Sequence, residues 1–122
     1  MDWQRPSAGL TSYLDNAMDA FNCQKTRMFG CPAYFANGNL FAGVQADNLF
    51  VRLSEEDRRR ALATSDEVTI FEPVAGRQMK EYLVLPESMC QNEEQLTTWL
   101  RRAYQYACSL PPKKDKRKTR DF

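Results

Sequence analysis

The run best suited to chemistry is Gly76-Arg77-Gln78-Met79-Lys80-Glu81-Tyr82, in which two cations stand close together beside a glycine. A glycine-containing loop can hold an anion, because oriented backbone amides and the Arg77 and Lys80 side chains all favour negative charge. Lys80 or Tyr82, suitably perturbed, can then act as acid or base on an anionic substrate. One glycine is a poor phosphate cradle, however, and the spacing matches no P-loop. Arg77 and Lys80 are equally suited to pairing with Glu72 or Glu81, or to standing in solvent. Met28-Phe29-Gly30 offers a different chemistry, an adaptable apolar contact beside a glycine. Its simpler reading is structural, with Met28 and Phe29 filling the core and Gly30 supplying a backbone conformation.

The chain contains no histidine. The commonest base for nucleophilic catalysis is therefore missing, and no Ser-His-Asp or Cys-His arrangement can form. Glu55, Glu56 and Asp57 invite an acid/base role, yet their place at an expected helix start explains them through the helix dipole. Cys23, Cys31, Cys90 and Cys108 include no Cys-x-x-Cys pair, so neither zinc nor another cofactor is expected. Free thiols packed as small apolar groups are the expectation in a reducing compartment. No apolar run approaches the roughly 20 residues that span a bilayer. The opening Met1-Asp2-Trp3-Gln4-Arg5-Pro6 lacks a secretory pattern, so the expected location is cytoplasmic. No catalytic or metal-binding residue emerges.

The net charge of +1 hides an asymmetry: the residues from Pro111 onward carry six basic and two acidic side chains, leaving the remainder net negative. Residues 1–112 are expected to form one domain and 113–122 a solvated, disordered basic tail, since such a tail cannot repay the entropy of ordering. Lys113, Lys114, Lys116, Arg117, Lys118 and Arg120 are the candidates for weak, non-specific nucleic-acid contact. Aromatic residues interleaved for base stacking are absent from that stretch.

These candidates must be positioned by an α+β framework. Leu10, Tyr13, Leu14, Ala17, Met18 and Phe21 recur at helical spacing after a capping Ser7. Asn37-Gly38 predicts a hairpin turn between strands at 33–36 and 40–46, and Asp47-Asn48 a second tight connection into Leu49–Leu53. Ser54 with Asp57 predicts the cap of a helix running to about Ala63. Val68–Phe71 reads as a strand ended by Pro73, Met79–Leu85 as another closed by Pro86. Asn92 with Gln95 opens a last helix striped by Leu96, Trp99, Leu100, Ala103, Ala107 and Leu110. The predicted order is α-β-β-β-α-β-β-α, an antiparallel sheet with helices packed on it in two layers.

Met28-Phe29-Gly30, Asn37-Gly38-Asn39, Phe41-Ala42-Gly43, Leu53-Ser54-Glu55-Glu56-Asp57-Arg58, Gly76 to Tyr82 and Ser109-Leu110-Pro111-Pro112 follow one another in an order that resembles the TfoX N-terminal domain family. The likeness departs at Cys31, where the family usually carries a second glycine; an altered turn or a thiol at an exposed bend is the expectation there. The resemblance implies the same element order, association into homodimers and a non-enzymatic role through an unidentified protein partner, in transcriptional regulation of competence-like genes. Competence regulators of this kind carry a further helical domain after the point where this chain stops. The alternative is a small ligand-binding or catalytic protein using the Gly76–Tyr82 loop and strand on an anionic substrate. A closed pocket lined by Arg77, Lys80 and Tyr82 would favour that alternative, a flat apolar patch the first.

Overall fold

A computed structural model describes residues 7–28 and 31–111. The order is α1 (Ala8–Met18), β1 (Gln24–Met28), β2 (Cys31–Ala36), β3 (Asn39–Gln45), β4 (Asn48–Arg52), α2 (Glu55–Thr64), β5 (Thr69–Val74), β6 (Arg77–Leu85), α3 (Glu87–Gln91) and α4 (Glu93–Ser109). The strands form one antiparallel sheet in the order β1-β2-β3-β4-β6-β5.

The expected α+β layering is present, with one strand and one short helix more than the sequence suggested. β1 reads Gln24-Lys25-Thr26-Arg27-Met28 and shows no apolar alternation, because it is a sheet edge whose cations discourage pairing with another chain. β5 does not stop at Pro73 but runs to Val74. On an edge strand a proline forfeits no ladder bond, and the pairing of β5 with β6 is irregular on both sides of Phe71. The second hairpin turn is Ala46-Asp47 rather than Asp47-Asn48, with Ala46 at φ 53°. Its carbonyl accepts from the Ser7 amide at 2.7 Å, which anchors the start of α1.

Helix ends follow their caps. Ser7 accepts from the Leu10 amide, Ser54 from that of Asp57 and Asn92 from that of Gln95, each satisfying an amide without an intrahelical partner. At the other end of α4 the Leu110 amide reaches the Ala107 carbonyl at 3.3 Å, and the β2–β3 turn adds to this cap. Asn37 and Gly38 take φ of 55° and 78°, the pair of left-handed residues such a turn requires. This turn presents two carboxamides to the end of the helix. Asn39, 5% exposed, donates through Nδ2 to the Ala107 and Pro111 carbonyls and to that of Asn37, each at 3.2 Å. Asn37 donates to the Leu110 carbonyl at 3.1 Å.

One face of the sheet carries the core. Leu10, Leu14 and Met18 of α1 and Leu96, Trp99, Leu100, Ala103 and Ala107 of α4 close over Ala42, Val44, Leu49, Val51, Leu83 and Leu85. Each fully buried leucine in this layer contributes about 1.5–3 kcal/mol. Phe41 and Ala42, though consecutive, both join this layer, because the β2–β3 register shifts at Tyr34/Phe35. Alternation sends Phe50 to the opposite face. There it stacks on Phe71 with centroids 4.2 Å apart and meets Tyr82 edge-on at 5.9 Å. Gly43 is the floor beneath Phe50. A Cβ at that position would lie 2.5 Å from Phe50 Cζ and 2.8 Å from the Pro32 carbonyl.

Gly43→Ala is expected to destabilise the fold by about 1–3 kcal/mol, since the backbone carbonyl cannot yield as a flexible side chain would. Urea unfolding followed by Trp fluorescence measures this, and an unchanged midpoint would show that the Phe50 packing is loose.

Candidate functional site

The Gly76 run folds as a hairpin end. Val74 pairs with Arg77 across Ala75-Gly76, and Gly76 takes φ 83°. The Gly76 amide is already engaged, donating to Glu72 Oε2 at 2.8 Å. An open depression of about 440 Å³ lies here, lined by Glu72, Gly76, Arg77, Gln78 and Lys80. A carboxylate of the chain itself thus holds the amide that an external anion would use. Arg77 and Lys80 are exposed and form no ion pair among the described residues. Met79 and Tyr82 do not line this depression. Met28 ends β1; Phe29, Gly30 and the basic residues Lys113, Lys114, Lys116, Arg117, Lys118 and Arg120 lie outside the described residues.

Tyr82 belongs to another cluster, one that the sequence did not reveal. Its hydroxyl donates to the Leu40 carbonyl at 3.0 Å. The Arg52 guanidinium stands 5.6 Å from the centre of its ring and 5.7 Å from that of Tyr106 on α4. Glu81 accepts from Arg52 Nε at 2.7 Å, so Glu81 serves β4 rather than Arg77 or Lys80. Burial opposes the charge of Arg52, but its hydrogen bond to Glu81 and the neighbouring Tyr82 hold it above its ordinary value. Burial likewise raises the Tyr82 hydroxyl, against the pull of Arg52. The Tyr82 hydroxyl and the Arg52–Glu81 pair are thus engaged within the chain. The register Arg52↔Tyr82, which depends on the path of the chain through α2 and β5, and the packing of α4 together assemble this cluster.

A groove of about 600 Å³ runs between α2 and α4, lined by Arg60, Ala63, Thr64, Glu94, Gln95, Thr98, Trp99 and Arg102. Arg102 donates to Asp57 at 2.8 Å and lies 5.7 Å from the Trp99 ring centre, tying the helices together. Arg60 and Glu94, of opposite sign, are both exposed on its walls. Asp57 therefore does more than start a helix. The sequence signals that bear on this groove are the caps at Ser54 and Asn92, which fix where both helices begin; nothing local announces that the two meet.

Among the described residues no cluster of histidine, cysteine and carboxylate side chains suits a metal ion. Nor is any helix among them long and apolar enough to cross a membrane. Compared with models of known protein families, residues 15–107 match that of the TfoX N-terminal domain, most of the chain. No curated protein matches it.

Tyr82→Phe leaves the Leu40 carbonyl without this donor and is expected to cost about 1–2 kcal/mol. It also changes the alkaline limb of stability. A tyrosine raised in the folded state holds its proton more tightly there than when unfolded, so its contribution is complete below about pH 10 and is lost as pH climbs through the higher folded value. Thermal melts from neutral pH to pH 11 are expected to fall less steeply above pH 10 in the variant; identical slopes would contradict the assignment.

Proposed function

Because the chain belongs to the TfoX N-terminal domain family, which is associated with competence regulation, we propose that it acts by association rather than catalysis. It is a cytoplasmic protein-contact domain that pairs with a second copy and meets a further protein partner in transcriptional regulation of competence-like genes. The observation that carries this reading is the α2–α4 groove, whose walls offer both signs of charge beside a tryptophan that is 8% exposed. A two-fold contact presents the same patch on both sides, so a surface with an exposed cation and an exposed anion can complement itself. Arg60 of each copy then faces Glu94 of the other. Tryptophan and arginine are also the residues that most often dominate contact energies. The alternative, action on an anionic substrate at Gly76–Tyr82, is disfavoured by the occupied Gly76 amide and by the commitment of Tyr82 elsewhere. The basic residues from Lys113 to Arg120 add a weak, salt-sensitive contact with nucleic acid that is indifferent to sequence.

Light scattering at micromolar concentration is expected to give a mass above one chain. Arg60→Glu, which sacrifices only an exposed pair with Glu56 within α2, is expected to return the protein to a monomer. Adding Glu94→Arg to that variant is expected to restore the pair. A wild-type monomer across a wide concentration range overturns self-association, and a dimer indifferent to both changes moves it to another face.

A further inference from the structure

Two thiols separated by most of the sequence flank one tyrosine. Tyr104, on α4, reaches the connection between α1 and β1, where its hydroxyl donates to the Asn22 carbonyl at 3.1 Å. Its ring lies against Phe21, with centroids 5.3 Å apart. Cys23 follows Asn22 directly and is half-buried, its thiol 3.9 Å from Met18 Sδ. Cys108 stands one helical turn beyond Tyr104 on the same side of α4 and is exposed. The neighbouring Cys108 first, then burial and the proximity of Cys23, raise the Tyr104 hydroxyl. The electrostatics therefore agree with the geometry.

The other two cysteines sit in different surroundings. Cys31 is not at an exposed bend but buried in β2, and Cys90 is buried in α3. Burial, with a smaller effect of Glu87, pushes the Cys90 thiol up to about 12. Burial also raises Cys31. Both are shut away from an oxidant, whereas Cys108 is exposed to one, and Cys23, whose thiol burial also raises, lies across the same tyrosine and is suited to the second, resolving step.

We propose that Cys23 and Cys108 form such a pair, which a peroxide converts into a disulfide tying the α1–β1 connection to the end of α4. The Cys108 thiolate attacks one peroxide oxygen; the O–O bond breaks and hydroxide leaves, giving a sulfenic acid. The Cys23 sulfur then attacks the Cys108 sulfur. The S–O bond breaks, the S–S bond forms, and the hydroxyl departs as water with the Cys23 proton. Two thiols are oxidised and the peroxide, with the proton first released by Cys108, is reduced to two waters. Residues 19–23 carry no strand pairing, so this connection can adjust to disulfide geometry while the ladders stay intact.

Peptide mapping of the full chain under non-reducing conditions, after stoichiometric hydrogen peroxide and alkylation, tests the pair. The expected product is an intramolecular Cys23–Cys108 link with Cys31 and Cys90 still alkylated. Its melting temperature should rise, because the closed loop is long. In Cys23→Ser, Cys108 is expected to stop at the sulfenic acid and be trapped by dimedone, which captures little in the wild type. Wild-type protein that ends with Cys108 as sulfinic acid, or bridged to Cys108 of a second copy, with the Cys23 thiol free, overturns the proposal.

Discussion

The last helix satisfies its terminal carbonyls only in part, the Leu110 amide reaching that of Ala107 at 3.3 Å, and the Asn39 carboxamide supplies the further donor. Two amide protons are shared among the carbonyls of Ala107, Pro111 and Asn37, in a site from which water is nearly excluded. Each hydrogen bond that Asn39 makes there contributes about 0.5–1.5 kcal/mol, so the turn that places Asn39 helps to fix where α4 finishes. The placement of α4 in turn governs the features with chemical character. It supplies Trp99, Glu94 and Arg102 to the groove, Tyr106 to the Arg52 cluster and Tyr104 with Cys108 to the thiol pair. A hairpin turn and a helix terminus distant in sequence thus act as one structural unit.

The two faces of the sheet show how differently burial can be achieved. On the helix side, aliphatic residues of β3, β4 and β6 meet the stripes of α1 and α4, and the register shift in β2–β3 lets Phe41 join them. On the other side, Phe50 and Phe71 are buried by stacking on each other and lying over Gly43, with Tyr82 at the edge. Arg52, between the two tyrosines, gives this aromatic group a charged rim that Glu81 neutralises. Gly43 in Phe41-Ala42-Gly43 is thereby explained by packing, as Asn39 in Asn37-Gly38-Asn39 is by capping.

Much of this was legible where the physics is local. Ser7, Ser54 and Asn92 cap helices because a short polar side chain reaches the amide three residues on. Asn37-Gly38 turns because both residues accept positive φ, and Leu96 to Ala107 stripes one face because α4 is half-immersed. What escaped was decided by tertiary context. β1 is polar because it is an edge, α3 is too short to develop a period, and Pro73 sits in a strand because that strand has one free side. Among the candidate site residues, Gly76, Arg77 and Lys80 line one depression, but the sequence could not show that Glu72 holds the Gly76 amide there. It grouped Tyr82 with them only because proximity along a strand says nothing about the face or the neighbour that claims a side chain.

If the Asn39 carboxamide is the fastening on which the last helix depends, removing its protons at constant shape should release that helix before anything else. Asn39→Asp does so, replacing a donor with an acceptor that faces carbonyl oxygens. Hydrogen exchange read by mass spectrometry on the variant and the wild type is the direct measurement. The account predicts faster exchange concentrated in the last two turns of α4, with Glu93–Leu96 and the β3–β4 ladder protected as before. Equal exchange through α4, or loss of protection spread evenly over the sheet, would contradict it.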